Sequence, residues 1–435
     1  MSIPPLKPGL SLGFPLSRRR FLSLTSATLG AMALPGRTFA SRRATSPSNR
    51  ITLGFIGVGG HGHGYNLKSF LEQDDAQVVA VCDVFASRTR RARDTVDARY
   101  GTKGCREYAD FRALLAAPDI DAVVISTPDH WHVPMSMLAL AAGKDVMCEK
   151  PTLTIAEGRA LVERVKERNA VFQVGLEDRS MIKYHMLASW VRNGAIGQLQ
   201  RIDVGLPPGT VFPLEDAAPV PPDLDYNLWT GPAPFSPYSR HRTDPQQWRN
   251  NRDYAGGKFA DWGAHLVDTA QVANFAENTS PVEVAGEGDV PPNAMTTMPV
   301  NYRVRYRYAN GVELNVTSGP TMIRCEGSEG WISNHDWAGR FEASAPSLLR
   351  KKYPAEISKL WPLPQSEHRN FLDCIRSRQP TTYTAEAGHR LSTTLHLGNI
   401  AIELGRKLRW DPATETFPGD AAANALRSRE PRKWD

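Results

Sequence analysis

Cysteine is scarce in this chain. The 435 residues hold five, at 82, 105, 148, 325 and 374, and no two are spaced Cys-x-x-Cys. That excludes a disulfide framework and the usual zinc and redox motifs. Cys82 and Cys148 lie in apolar runs that read as strands, so both are expected as buried free thiols. No internal repeat is visible, which excludes a solenoid or propeller array. Acidic residues are missing altogether from the first 50 positions. There, Ser17-Arg-Arg-Arg-Phe-Leu22 leads into a weakly apolar run over 21–34, followed by Thr38-Phe-Ala40. A charged region, a short apolar region and a small-residue cleavage site have the layout of an export signal. The pair Arg18-Arg19 resembles a twin-arginine signal, used for proteins exported already folded. Residues 1–40 are assigned to this signal and 41–50 to a linker rich in Ser, Arg, Pro and Asn. The expectation is a periplasmic protein that engages the twin-arginine translocation machinery. A membrane anchor is the alternative, but the run is too short and too rich in Ser, Thr and Gly.

Cleavage after Ala40 removes Lys7, Arg18, Arg19, Arg20 and Arg37, taking the formal charge from +6 to about +1. The basic pI is therefore largely a property of the signal and does not argue for a nucleic-acid partner. At 41% hydrophobic and 23% charged the composition is that of a globular protein long enough for two domains.

From residue 51 the pattern alternates. Apolar runs at 51–59, 77–84, 122–127, 146–149 and 171–174 read as strands. Amphipathic stretches at 65–73, 86–100, 110–116, 133–142 and 155–168 read as helices. That alternation predicts a parallel, doubly wound sheet over 51–175. Beyond Gly175 the pattern changes. A helix is expected over 181–192 and a strand over 198–204, and residues 205–238 hold nine prolines and form a long excursion. A helix over 258–276 is followed by strand-like runs near 282–285, 302–308, 312–317, 323–325 and 331–334, with no helices between them. Consecutive strands argue for a mainly antiparallel sheet. Helices over 368–378 and 385–407 close this second domain, assigned to 176–410, with a C-terminal tail over 411–435.

Gly57-Val-Gly59-Gly-His-Gly62 follows the first strand and opens a helix, which is where G-x-G-x-x-G binds a dinucleotide. Val58, Gly60 and His61 complete the stretch. Asp83 ends the next strand, where a carboxylate accepts hydrogen bonds from a ribose diol and repels a 2′-phosphate. Together they indicate NAD rather than NADP, with Arg88 and Arg90 as the residues able to reverse that preference. His61 and His63 read as solvated loop residues, and no metal site is assigned. The strand over 122–127 ends in Thr127-Pro128-Asp-His-Trp131-His132, a polar, aromatic turn placed to flank a nicotinamide. Trp131 either packs on that ring or packs between helices. Asp145-Val-Met-Cys-Glu-Lys-Pro151 is a buried strand stopped by proline, so Glu149 and Lys150 sit at a carboxyl edge of the sheet.

These features resemble the Gfo/Idh/MocA oxidoreductases, named for glucose–fructose oxidoreductase and inositol dehydrogenase. The resemblance rests on Gly57, Gly59, Gly62, Asp83, Thr127-Pro128…His132, Glu149-Lys150-Pro151 and Gly256-Gly-Lys-Phe-Ala-Asp261-Trp-Gly-Ala-His265-Leu-Val-Asp268, and it ends near Trp410. It implies a Rossmann domain followed by an α/β domain whose open sheet forms an oligomer interface, in a dimer or tetramer. It also implies a bound nicotinamide cofactor and a sugar or polyol substrate. Asp261 and His265 share one helix face, four residues apart. His265 has the titration range of a general base, and Lys150 can stabilise a developing oxyanion. Which of the two is the base stays open. Asp261 is placed to orient His265 or hold a hydroxyl, and Arg179 and Tyr184 are weaker candidates for substrate contact. The expected reaction is hydride transfer at a secondary carbinol, with tightly bound, recycled cofactor. A glycosidase using transient oxidation and a sugar-binding protein with a vestigial cofactor site are the alternatives.

Overall fold

The computed structural model describes residues 49–434. The export signal expected at 1–40 and nearly all of the expected linker lie outside the described residues. Short, largely buried apolar runs and one polar edge strand, β3, build the first sheet: β1 (Ile51–Ile56), β2 (Ala76–Cys82), β3 (Arg106–Tyr108), β4 (Ala122–Ile125), β5 (Asp145–Glu149) and β6 (Phe172–Gly175). All pairs are parallel and the order is β3-β2-β1-β4-β5-β6. Strand order reverses between β1 and β4, and the crevice above that point is where such sheets take ligands.

The second sheet comprises β7 (Leu199–Leu206), β8 (Glu283–Asp289), β9 (Asn301–Arg307), β10 (Glu313–Ser318), β11 (Met322–Gly327), β12 (Gly330–Ser333), β13 (Glu342–Ala343) and β14 (Leu408–Arg409). Its order is β13-β12-β11-β7-β10-β9-β8-β14, mostly antiparallel and mixed because β7 and β10 run parallel. Tyr302, Val304 and Tyr306 of β9 are buried while Arg303, Arg305 and Arg307 are exposed, one face in and one out. Helices Gly257–Ala273 and Ala385–Leu404 cover the inner face. Gly263 lets Leu395 pack close, and Tyr306 donates to the Thr394 carbonyl at 2.9 Å. Among the described residues no helix is long and apolar enough to cross a membrane.

Besides the short strands β3, β13 and β14, which the sequence reading did not place, three elements differ from it. The turn expected at 128–132 is the first turn of a helix, Asp129–Ala141. Pro128 takes the extended N-cap conformation that starts it, and Pro134 sits inside it rather than at its head. Helix Glu367–Ser377 does not close the second domain. Its Phe371, Leu372 and Ile375 join the core of the first sheet, beside Leu53 and Phe55. Periodicity marks a helix's apolar face but not which sheet that face will cover. A short helix, Pro245–Trp248, follows the proline-rich excursion, and the excursion itself carries another, Tyr226–Thr230. It is tied to the end of β2 by Asp225 N to Val84 O at 3.0 Å and Ala86 N to Asp223 O at 2.9 Å.

Candidate active site

The glycine turn is shaped by what a side chain would strike. Gly57 has φ +83°, and a Cβ there would stand 2.6 Å from the Ser126 carbonyl oxygen. A Cβ on Gly62 would stand 2.1 Å from the Gly57 oxygen. The turn is fastened to Asp83, whose two carboxylate oxygens accept from Val58 N and Phe85 N, each at 2.9 Å. Burial raises the Asp83 pKa, opposed by Arg88 and these two N–H groups. Arg88 stacks on the Phe85 ring at 3.8 Å and Arg91 donates to the Val58 carbonyl at 3.2 Å. Both line the cavity described next, whereas Arg90 does not. Arg91, not Arg90, is therefore the second cation beside Asp83.

A cavity of about 580 Å³ runs from this turn, past Thr127 and Pro128, to Lys150 and His265. At its far end Lys150 Nζ lies 3.1 Å from His265 Nε2, 3.3 Å from the Asp261 backbone carbonyl and 3.8 Å from Asp261 Oδ1. The peptide bond from Lys150 to Pro151 is cis. Burial lowers the Lys150 pKa, but Asp261, Glu177 and Glu149 outweigh it and leave the ammonium firmly charged. Asp261 is held down to about 2 despite its burial, by Lys150, Arg249 and Lys258. Arg249 Nε and Lys258 Nζ each stand 3.5 Å from that carboxylate. Asp261 therefore faces three cations and does not orient His265. The carboxylates that face His265 Nδ1 are Asp178 at 3.4 Å and Glu177 at 3.7 Å.

Glu149 lies between these two ends. Its Oε1 accepts from Asn66 Nδ2 at 2.8 Å and pairs with His61 Nε2 at 3.1 Å. His61 is thus paired rather than simply solvated. Burial works against the charged ring, but the bond to Glu149 wins and holds His61 above 6.5. His132 is buried with Nδ1 at 2.8 Å from the Pro151 carbonyl and Nε2 at 2.8 Å from that of Thr127. A neutral ring donates to one of the two, and His132 sits between the turn after β4 and the loop after β5. Trp131 resolves as packing. It is buried edge-on to Phe111 and Trp434, and its N–H donates to the Leu228 and Trp229 carbonyls.

The two weaker substrate candidates lie elsewhere. Arg179 forms a buried bidentate pair with Asp268, at 2.8 and 2.6 Å. Tyr184 is buried and donates to the Trp337 carbonyl at 2.8 Å. Neither lines the cavity, because both side chains turn into the second domain. The sequence reading missed Trp248 and Arg249, which the segment after the excursion delivers to the cavity wall, and Glu177 and Asp178. The acidic pair had a legible signal. It follows β6 at the same sheet edge as Glu149 and Lys150.

Residues 51–176 match the model described as oxidoreductase family, NAD-binding Rossmann fold. Residues 213–435 match oxidoreductase family, C-terminal alpha/beta domain, which extends past Trp410, where the sequence resemblance ends. An inositol 2-dehydrogenase of Pseudomonas savastanoi pv. phaseolicola is 34% identical over 150 residues, 34% of this chain and 43% of its own length. The matched stretch thus spans less than half of that relative. An inositol 2-dehydrogenase of Acidothermus cellulolyticus is 28% identical over 382 residues, 85% of this chain and 96% of its own. The aldose–aldose oxidoreductase of Caulobacter crescentus shares the fold, with TM-score 0.61 and 20% identity over 83% of this chain and 99% of its own.

The residues present fit a dinucleotide. The glycine turn leaves backbone open to a pyrophosphate, and Asp83 lines the cavity with oxygen lone pairs still available for a diol. Thr127 offers a buried hydroxyl with no protein partner. The cavity volume falls within the ~300–1,000 Å³ usual for ligand clefts.

Proposed function

The chain belongs to the Gfo/Idh/MocA oxidoreductase family, with an NAD-binding Rossmann domain at 51–176, and on that premise we propose that it oxidises and reduces a secondary carbinol of a sugar or polyol. The observation that carries this reading is the meeting of Lys150 and His265, 3.1 Å apart at the end of the cavity opposite the glycine turn. NAD, when bound, accepts the hydrogen and electron pair that leave the carbinol carbon. The protein's own task is then the hydroxyl proton. Lys150 is held charged by its carboxylate neighbours, which suits it to stabilise an alkoxide and not to act as base. His265 Nε2, facing the same spot, takes the proton. Arg249, 3.5 Å from the Asp261 carboxylate, and Trp248 before it line the cavity and are assigned to substrate contact.

The test is Lys150→Met and His265→Asn, assayed against a panel of aldoses, inositols and anhydrosugars. Each should lower kcat by roughly 10² to 10⁴, the usual worth of an acid–base group, and leave NAD affinity unchanged. Turnover near wild type in Lys150→Met would refute the assignment.

A further inference from the structure

His265 stands between unlike neighbours. Nε2 faces the Lys150 ammonium at 3.1 Å, and Nδ1 faces Asp178 Oδ2 at 3.4 Å and Glu177 Oε1 at 3.7 Å. An ammonium only donates, so Nε2 accepts and Nδ1 carries the proton. Of the two carboxylates Asp178 is the nearer and the drier, with its side chain 2% exposed against 22% for Glu177. Its Oδ1 is buried without a hydrogen-bond partner, and its Oδ2 meets the Trp337 indole N–H only at 3.5 Å. A carboxylate is costly to bury so sparsely bonded unless it is matched to a charge. Lys183 is the ammonium that already faces it, and the charge that can arise at its Oδ2 is the His265 imidazolium.

We propose that Asp178 is the positioning residue of this site: it fixes the Nδ1–H tautomer of His265 and stabilises the imidazolium formed when Nε2 takes a substrate's hydroxyl proton. The inference rests on the oxidoreductase reading above. The proton moves from the hydroxyl to Nε2, the oxygen keeps the electron pair, Lys150 transfers its hydrogen bond from Nε2 to that oxygen, and Nδ1–H stays on the ring. The spacing Asp261-x-x-x-His265 suggests a different partner, but the Asp261 carboxylate is engaged by Lys150, Arg249 and Lys258. Asp178 reaches His265 from another element, the turn after β6 that enters helix Ile182–Arg192.

The charged groups facing the ring are Lys150, Asp261, Glu177 and Asp178. Lys150 is faced in turn by Glu149 and Arg249, and Asp178 by Lys183. Replacing Asp178 by Asn removes one negative charge from this set at constant shape. With the substrate turned over fastest in the panel, Asp178→Asn should lower kcat by about 10² to 10⁴ and leave KM within a few-fold. The acidic limb of the kcat profile should move to lower pH, because the charge favouring the imidazolium is gone. Asp178→Glu should recover part of the rate and hold the limb near its wild-type position. It also carries the test if Asp178→Asn does not fold. A lower Tm with the pH limb unmoved, or an unchanged kcat, would overturn the inference. His265→Asn separates this from the parent reading. Loss of turnover in His265→Asn but not in Asp178→Asn sinks only the role of Asp178, and turnover retained in both sinks both.

Discussion

Asp83 and His61 show how much of this site is set by single contacts. Asp83 fastens the glycine turn through Val58 N and itself through Phe85 N, so its carboxylate is fixed before any ligand arrives. His61 pairs with Glu149 at 3.1 Å, and the pair has a pH signature. The His61 pKa is raised above 6.5, so its share of stability is complete below that value and is lost as pH rises through the folded value. Glu149 is held below 4.5, with burial opposing and His61 prevailing, so its share is present above 4.5 and is lost as pH falls. The pair therefore stabilises most between these two limits. The Tm gap between wild type and His61→Ala should be widest near pH 5.5 and shrink toward pH 8 to 9. A gap that does not change with pH would remove the ion pair from the account. At this scale Lys150 and His265 were legible because each sits in a motif whose place on a strand end or helix face is fixed. Arg179 and Tyr184 were not, since their partners Asp268 and Trp337 are distant in sequence and only the fold turns the side chains inward. Asp178 and its neighbour Glu177 were legible only by their place after β6, and their partner His265 is set by the fold.

The glycine turn and the strand ends it serves form the element that organises the cavity. Gly62 is the tightest point, where a Cβ would overlap the Gly57 carbonyl. Gly62→Ala should open the turn and weaken NAD binding by at least about tenfold, some 1.4 kcal/mol, while far-UV circular dichroism stays native. Wild-type NAD affinity in that variant, measured by titration calorimetry, would mean that the turn does not carry the cofactor. Strand positions were legible from apolar runs, except for the short β3, β13 and β14, which hold no such run, and helices Ala86–Tyr100 and Ile155–Arg168 fell where periodicity put them. The excursion was legible only as an interruption. Nothing in nine prolines says that the chain returns to β2, or that Trp248 and Arg249 then line the cavity. Long-range contacts of that kind are decided by the whole core, not by local preference.

Across the whole molecule the two sheets share more than a boundary at Gly175. Helix Glu367–Ser377 crosses back to the first sheet, where Gln173 Nε2 donates to the Glu367 carbonyl at 2.8 Å. Arg159 of the first half is clamped by Glu386 and Glu415 of the second. Trp434, close to the C-terminus, packs edge-on against Trp131 at 4.8 Å. These ties hold Lys150, from one half, against His265, from the other, and the central claim is that this junction does redox chemistry on a carbinol. The most direct measurement is a single turnover: NAD-loaded protein mixed rapidly with each sugar, inositol and anhydrosugar of the panel, with nicotinamide absorbance as the readout. The account predicts one reduced nicotinamide per protein with at least one compound, formed more slowly when the reacting carbon carries deuterium. Binding of both NAD and sugar without any reduced nicotinamide, across the whole panel, would contradict it.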